Sequence, residues 1–215
     1  MRHVFVESNW VFECCAPRHL RSPFAELLLQ KARAGELTLH LPAICLREGG
    51  DAIRKKCQPR VPEEMSDFLT AARQQGSLSQ ENAHTVTQAL NLSRATVRRE
   101  LQSLNDTLDS IRTAPGVEAF ALSEPMLERA IQLRADGPGG LKPFDEAILA
   151  AILVRARALR EHHASDTDFG LAFCTRDGDL QPWTREGLPR EPLFSLYERE
   201  DVGVYGDFSA VAGSP

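Results

Sequence analysis

Val4, Phe5 and Val6 form an unbroken apolar run that ends in Glu7, Ser8 and Asn9. A short apolar run stopped by polar residues predicts a buried strand over about 3–7. A short helical piece follows from Asn9 and ends before Pro17. Ser22-Pro23 then supplies an N-cap residue and a first-turn proline, so "FAELLLQKARA" is predicted as a helix that stops at Gly35. Leu37 to Leu41 alternates as a strand does, and Pro42 opens a helix over "AICLREGGDAIRKKC" that ends near Pro59. From about 61 to 115 the chain reads as helical and polar. Its last part carries Val97, Leu101, Leu104, Leu108 and Ile111 in a helical stripe. That stripe fits packing on the chain's own core, a dimer or a partner helix, and it is too short for a coiled coil.

Val117 to Leu122 is predicted as a further strand, and "SEPMLERAIQLRA" as a helix with Ser123 as its cap. "DGPGG" at 136–140 is a loop, and Pro143 opens the helix "FDEAILAAILVRARALREHH". Leu171 to Thr175 is a buried strand that leaves through the loop "RDGDLQPW". "PLFSLYE" is strand-like, and the Gly/Ser-rich end from about 203 to 215 is expected to be loosely held. Strands that alternate with helices predict an α/β class with a central, mainly parallel sheet flanked by helices. One domain over 1–215, with a helical insertion at about 61–115, accommodates the whole chain.

Composition changes this picture little. The 215 residues are 42% hydrophobic and 26% charged, with net charge −5, so a protein that coats nucleic acid by charge alone is not expected. Apolar runs fall well short of the ~20 residues of a membrane span, and Met1-Arg2 leads into a strand instead of a signal peptide. The five cysteines are odd in number and lack Cys-x-x-Cys spacing. Reduced thiols in a cytoplasmic protein, with no membrane partner, are the expectation.

The chemistry concentrates in acids at unusual places. Glu7 ends one buried strand, and Asp177 and Asp179 follow another. Parallel neighbouring strands would bring them out on one edge, where α/β sheets place ligand sites. Asp145 lies in the first turn of its helix with Ile148, Leu149 and Ile152 on the same side, so it tops the buried face. A dipole role at the helix start accounts for Glu146 more readily than for Asp145. Glu48 is flanked at helical spacing by Ile44, Ala52 and Ile53, which predicts a core-facing carboxylate that needs a partner or a metal. Converging carboxylates repel and call for a cation; oxygen-only ligands suit Mg²⁺ or Mn²⁺. The six histidines have no ligand spacing with the cysteines, which argues against zinc.

In this order the motifs "VESN", "LREGG", "PFDEAIL" and "CTRDGDL" resemble the PIN-domain nucleases over about 3–57 and 117–182. The resemblance implies a PIN-like three-layer fold and a metal-dependent endoribonuclease that leaves a 5′-phosphate and a 3′-hydroxyl. It assigns Glu7, Glu48, Asp145 and Asp177 as catalytic metal ligands, with Asp179 as an outer or additional one. Ser8, Asn9 and Thr175 would support them. One departure stands out: the family usually has aspartate where this chain has Glu7, and the extra methylene moves the carboxylate by over ~1 Å.

Arg54, Lys55, Lys56 and Arg176 are the candidate substrate-binding cations, with Arg155 and Arg157 further along the helix from Asp145. RNA is the implied substrate. Members of this size include toxins, whose partner is an antitoxin protein, and RNA-processing enzymes; a homodimer is a further form open to the chain. Two other functions fit the same residues. One is a non-catalytic PIN-like module that binds protein or RNA. The other is a DNA nuclease or another metal-dependent phosphohydrolase.

Overall fold

The computed structural model describes residues 2–59, 63–136 and 140–213. Its strands are β1 (Arg2–Val6), β2 (Leu37–Pro42), β3 (Val117–Phe120), β4 (Gly170–Cys174) and β5 (Val202–Tyr205). They form one five-stranded sheet in the order β3-β2-β1-β4-β5, and every pairing is parallel. From β1 the chain builds outward through β2 to β3, then returns to β1's other side with β4. The direction of building therefore reverses between β1 and β4. In open parallel sheets the crevice for ligands opens at such a switch point, beyond the strands' carboxyl ends.

The helices are α1 (Ser8–Cys15), α2 (Pro23–Arg33), α3 (Ala43–Lys56), α4 (Glu63–Gln74), α5 (Gln80–Gln102), α6 (Leu104–Arg112), α7 (Glu124–Asp136), α8 (Pro143–His162), α9 (Leu193–Arg199) and α10 (Phe208–Ala212). They cover both faces of the sheet, as parallel strands require. Phe5 is paired with His40 and Phe173, so these share one face. That face meets Tyr197 of α9 and, through His3, His163 at the end of α8. α7 packs on α8 in the same layer. On the opposite face α1 packs against α2, α3 and α6, and α10 packs against α2 and β4. The result is a three-layer α/β fold.

Local chemistry explains several boundaries. Ser22 accepts the Ala25 N–H at the start of α2, with Pro23 in the first turn. Gly116, with φ +73°, lets the entry to β3 pass against α2; a Cβ there would stand 2.1 Å from the Ala32 carbonyl oxygen.

Two readings of the C-terminal part need correction. "PLFSLYE" is not a strand but α9, which buries Leu193, Leu196 and Tyr197. Within the expected loose tail, Val202–Tyr205 is the edge strand β5 and α10 buries Phe208, Val211 and Ala212, while 214–215 lie outside the described residues. β5 is short, and its inward-facing residues are interrupted by Gly203, so it lacks the apolar run that marks β1 and β4. The helical stripe at 97–111 is broken at Ser103 between α5 and α6. Leu104 and Ile111 are buried, and Leu101 and Leu108 pack on the same core. The predicted loop at 136–140 falls mostly on 137–139, and the start of the insertion on 61–62; both lie outside the described residues.

Two polar clusters lie away from the switch point. His3 Nδ1 and His40 Nε2 are 2.8 Å apart between β1 and β2, both buried. Burial, together with His3 and Arg155, pushes His40 down to about 3; burial and His163 lower His3. Glu118 Oε2 stands 3.2 Å from His40 Nδ1 without the alignment of a hydrogen bond, and pairs instead with Arg155 at 2.7 Å. Glu200, also buried, receives Arg157 and Arg160 and ties α8 to the end of α9. Arg155 and Arg157 are thus engaged in structural ion pairs, which removes them from the expected set of substrate contacts.

Candidate functional site

β1 and β4 run in register as far as Val6 and Cys174, so Glu7 and Thr175 leave the sheet side by side. Glu7 is 3% exposed. Its Oε2 accepts the Asn9 N–H at 2.9 Å and caps α1, while its Oε1 accepts the Thr175 hydroxyl at 3.2 Å. Thr175 Oγ1 in turn accepts the Asp177 N–H at 3.0 Å, and Asp177 Oδ1 accepts the Asp179 N–H at 2.9 Å. One hydrogen-bonded chain therefore links the end of β1 to the loop after β4. Burial pushes the Glu7 carboxyl up to about 7, and the nearby Asp177 charge adds to the rise against the Asn9 and Thr175 hydrogen bonds.

Asp145 reaches the same place from the opposite direction. α8 precedes β4 and runs antiparallel to it, so its first turn lies over the sheet's carboxyl edge. Asp145 is buried, and its Oδ2 has no hydrogen-bond partner among the described residues. Burial raises its carboxyl above the ordinary range, as do the charges of Asp177, Glu48 and Asp179, against the opposing effect of Lys142. Asp145 is thus within electrostatic reach of Asp177, Glu48 and Asp179, and Asp177 is within reach of Glu7.

Glu48 departs from expectation. It is exposed, because the buried side of α3 is Cys45, Leu46, Gly49, Gly50 and Ile53, and Glu48 sits beside that stripe. It still points toward the centre, where it accepts a hydrogen bond from the Ser8 hydroxyl. Gly49 permits this: a Cβ there would lie 2.6 Å from Val11 Cγ1 and 3.2 Å from the Ser8 carbonyl oxygen, so only glycine lets α1 and α3 close up. Glu146 also differs from its expected dipole role. It is buried and held by Arg134 of α7 at 2.6 and 2.9 Å.

Two neighbours of the acids were not foreseen. Cys45, fully buried on α3, lies near Glu7 and Glu48, and burial chiefly raises its thiol. Lys142 Nζ stands 3.8 Å from Asp179 Oδ2. Neither carries a sequence signal beyond its position three residues from a candidate acid. The expected cations are less available than their positions implied. Arg176 is turned back onto Glu13, and Arg54 is held by Asp51 and Asn105. Lys55 and Lys56 are exposed but lie near the far end of α3, where the Lys56 ammonium sits over the Phe12 ring.

Among the described residues, no three His, Cys, Asp or Glu side chains stand grouped so as to hold a metal ion. The donor set nevertheless suits a hard cation: every candidate ligand is a carboxylate oxygen. The Asp145 Oδ2 is a buried acceptor without a donor among the described residues, which is where a cation would find an open ligand. No helix among the described residues is long and apolar enough to cross a membrane. The chain matches no protein-family model, no curated protein and no solved structure.

Proposed function

We propose that the protein is a metal-dependent endoribonuclease, with Glu7, Glu48, Asp145 and Asp177 as the residues that would hold Mg²⁺ or Mn²⁺ and Asp179 at its margin. The observation that carries this reading is Asp145: a buried carboxylate, one oxygen unpartnered, facing the charges of Asp177, Glu48 and Asp179 at the sheet's switch point. A carboxylate placed for stability alone would carry a partner, as Glu146 and Glu200 do. The bound cation would supply an activated water and offset charge on the phosphodiester. The protein's own part is positioning. Thr175 holds Glu7 and the turn into Asp177, Ser8 holds Glu48, and Lys142 restrains Asp179. Open parallel sheets take ligands at such a switch point, and the resemblance to PIN nucleases supports RNA as the occupant. A toxin-like role with an antitoxin partner and an RNA-processing role both remain within this proposal.

One observation favours a second reading. Both Glu7 oxygens already accept hydrogen bonds, one of them as the cap of α1. That arrangement suits a non-catalytic module in which Glu7 is structural. Cleavage of a labelled RNA in Mg²⁺ or Mn²⁺, wild type against Asp145→Asn, tests the nuclease; equal rates would remove it. Calorimetric titration with Mn²⁺ separates the two readings, since binding that is lost in Glu48→Gln is not expected of an inert module. A parallel panel of DNA and small phosphate esters identifies a different phosphohydrolase.

A further inference from the structure

α3 and α6 run antiparallel on the outer side of one helical layer, with the Arg54 guanidinium 2.6 Å from Asn105 Oδ1. Between them is a groove of about 560 Å³, within the size range of ligand sites. One helical stripe of α3 (Ala43, Leu46, Arg47, Arg54) and one of α6 (Asn105, Leu108, Asp109, Arg112) form its walls. Arg47 and Arg54 are separated by about 10 Å of helical rise, and Arg112 projects from the opposite wall. The carboxylates that touch these arginines are Asp109 with Arg112, at 3.3 Å, and Asp51 with Arg54 and Arg47, at 3.1 and 3.9 Å. Arg47 is held most loosely, with its side chain 87% exposed. Ala43, in the first turn of α3, opens the groove at a helix N-terminus that no side chain caps. The C-terminal end of α6 lies at the same end of the groove, so the two dipole ends offset and the guanidiniums carry the groove's positive charge. Arg47 is also the direct chain neighbour of Glu48, which faces the acid centre through Ser8.

We infer that this groove is a phosphate-backbone track that carries a single-stranded nucleic acid toward the acid centre. The inference rests on the nuclease reading for its direction, but its binding chemistry stands on the groove alone. Arg54 and Arg112 keep aspartate partners, but these pairs are solvent-exposed and therefore weak, unlike the buried Glu200 pair, so they can yield to phosphate; planar guanidiniums on two walls then match successive phosphates. The apolar lining, Leu46 and Leu108, is recessed against the core and offers no anchor for a protein side chain. An acidic protein partner is therefore the disfavoured occupant.

The test is fluorescence anisotropy of a labelled single-stranded RNA in chelator, across about 50–200 mM salt. The triple variant Arg47→Ala/Arg54→Ala/Arg112→Ala is expected to bind at least tenfold more weakly. Its salt slope should flatten by about two units, at ~0.7 per lost phosphate contact. Because Arg54 bridges α3 and α6, the single variant Arg47→Glu gives a second reading that leaves the bridge intact; it should weaken RNA binding in the same direction. Arg129→Ala on α7, in the other helical layer, should bind as wild type. Unchanged affinity in both Arg47→Glu and the triple variant overturns the inference, as does poly-glutamate binding as tightly as RNA. If wild type binds RNA through these arginines yet cleaves none, the nuclease reading fails and the track stands. If it cleaves RNA and the arginine variants retain wild-type KM, the track fails and the nuclease stands.

Discussion

Thr175 holds two of the acids at once, since its hydroxyl donates to Glu7 and accepts from the Asp177 N–H. It is fully buried. Thr175→Val keeps the shape but strands the Asp177 N–H and removes a donor from Glu7. A loss of about 1–3 kcal/mol in urea unfolding is expected, with an accompanying fall in RNA cleavage. Glu7 itself answers why a core strand should end in an acid: its longer side chain folds back to cap α1 while its other oxygen stays with Thr175. That double use was not legible from sequence, because a cap and a metal ligand call for the same residue in the same place. Asp145 was legible, since helical spacing placed it above Ile148, Leu149 and Ile152. Glu48 was placed on the wrong side of its helix. The two glycines that follow it are buried, so the core-facing stripe of α3 runs through them, and a count of large apolar residues misses it.

At the scale of elements, the approach of α1 to α3 decides whether Glu48 joins the other acids. Gly49→Ala places a methyl group against Val11 and should push the two helices apart. We expect a destabilisation of about 1–3 kcal/mol by thermal or urea unfolding, and weaker Mn²⁺ binding by calorimetry. The pairing of β1 with β2 has its own signature. His40 is held neutral, with its folded value at about 3 against an ordinary value near 6.5, and His3 is lowered too. The unfolded chain therefore binds more protons below about pH 6.5, so stability is full above that pH and falls as the solution is acidified toward pH 3. The groups that face the pair are Glu118 from β3, and Arg155 and His163 from α8 and its end. Glu7, raised to about 7, and Asp145 gain stability on acidification over the same window, so the histidine pair is read by difference: the urea midpoint of wild type relative to His40→Leu should fall as the pH drops from 7.5 to 4.5. His40→Leu should reduce the slope by up to ~1.4 kcal/mol per pH unit, the effect of one proton.

Across the whole molecule, the apolar runs at 3–7 and 171–175 and their helical spacers were enough to predict a parallel sheet in which β1 and β4 bring Glu7 and Thr175 out side by side. The last strand and helix escaped, because β5 is short and glycine-interrupted and α10 resembles a flexible tail in composition. Both are held by burial against elements distant in sequence, which local patterning does not report. The proposed metal centre draws on acids at the end of β1, on α3 and α8, and in the loop after β4, so it depends on the strand order β3-β2-β1-β4-β5. The central claim is that these acids form a hydrolytic metal centre. The most direct measurement is the initial rate of RNA cleavage by wild type and Asp145→Asn in Mn²⁺, with circular dichroism as the check that both are folded. The account predicts metal-dependent cleavage that falls at least about a hundredfold in Asp145→Asn, as loss of a metal ligand or its close support should cause. Equal cleavage by the two folded proteins, or none by wild type in either metal, would contradict it.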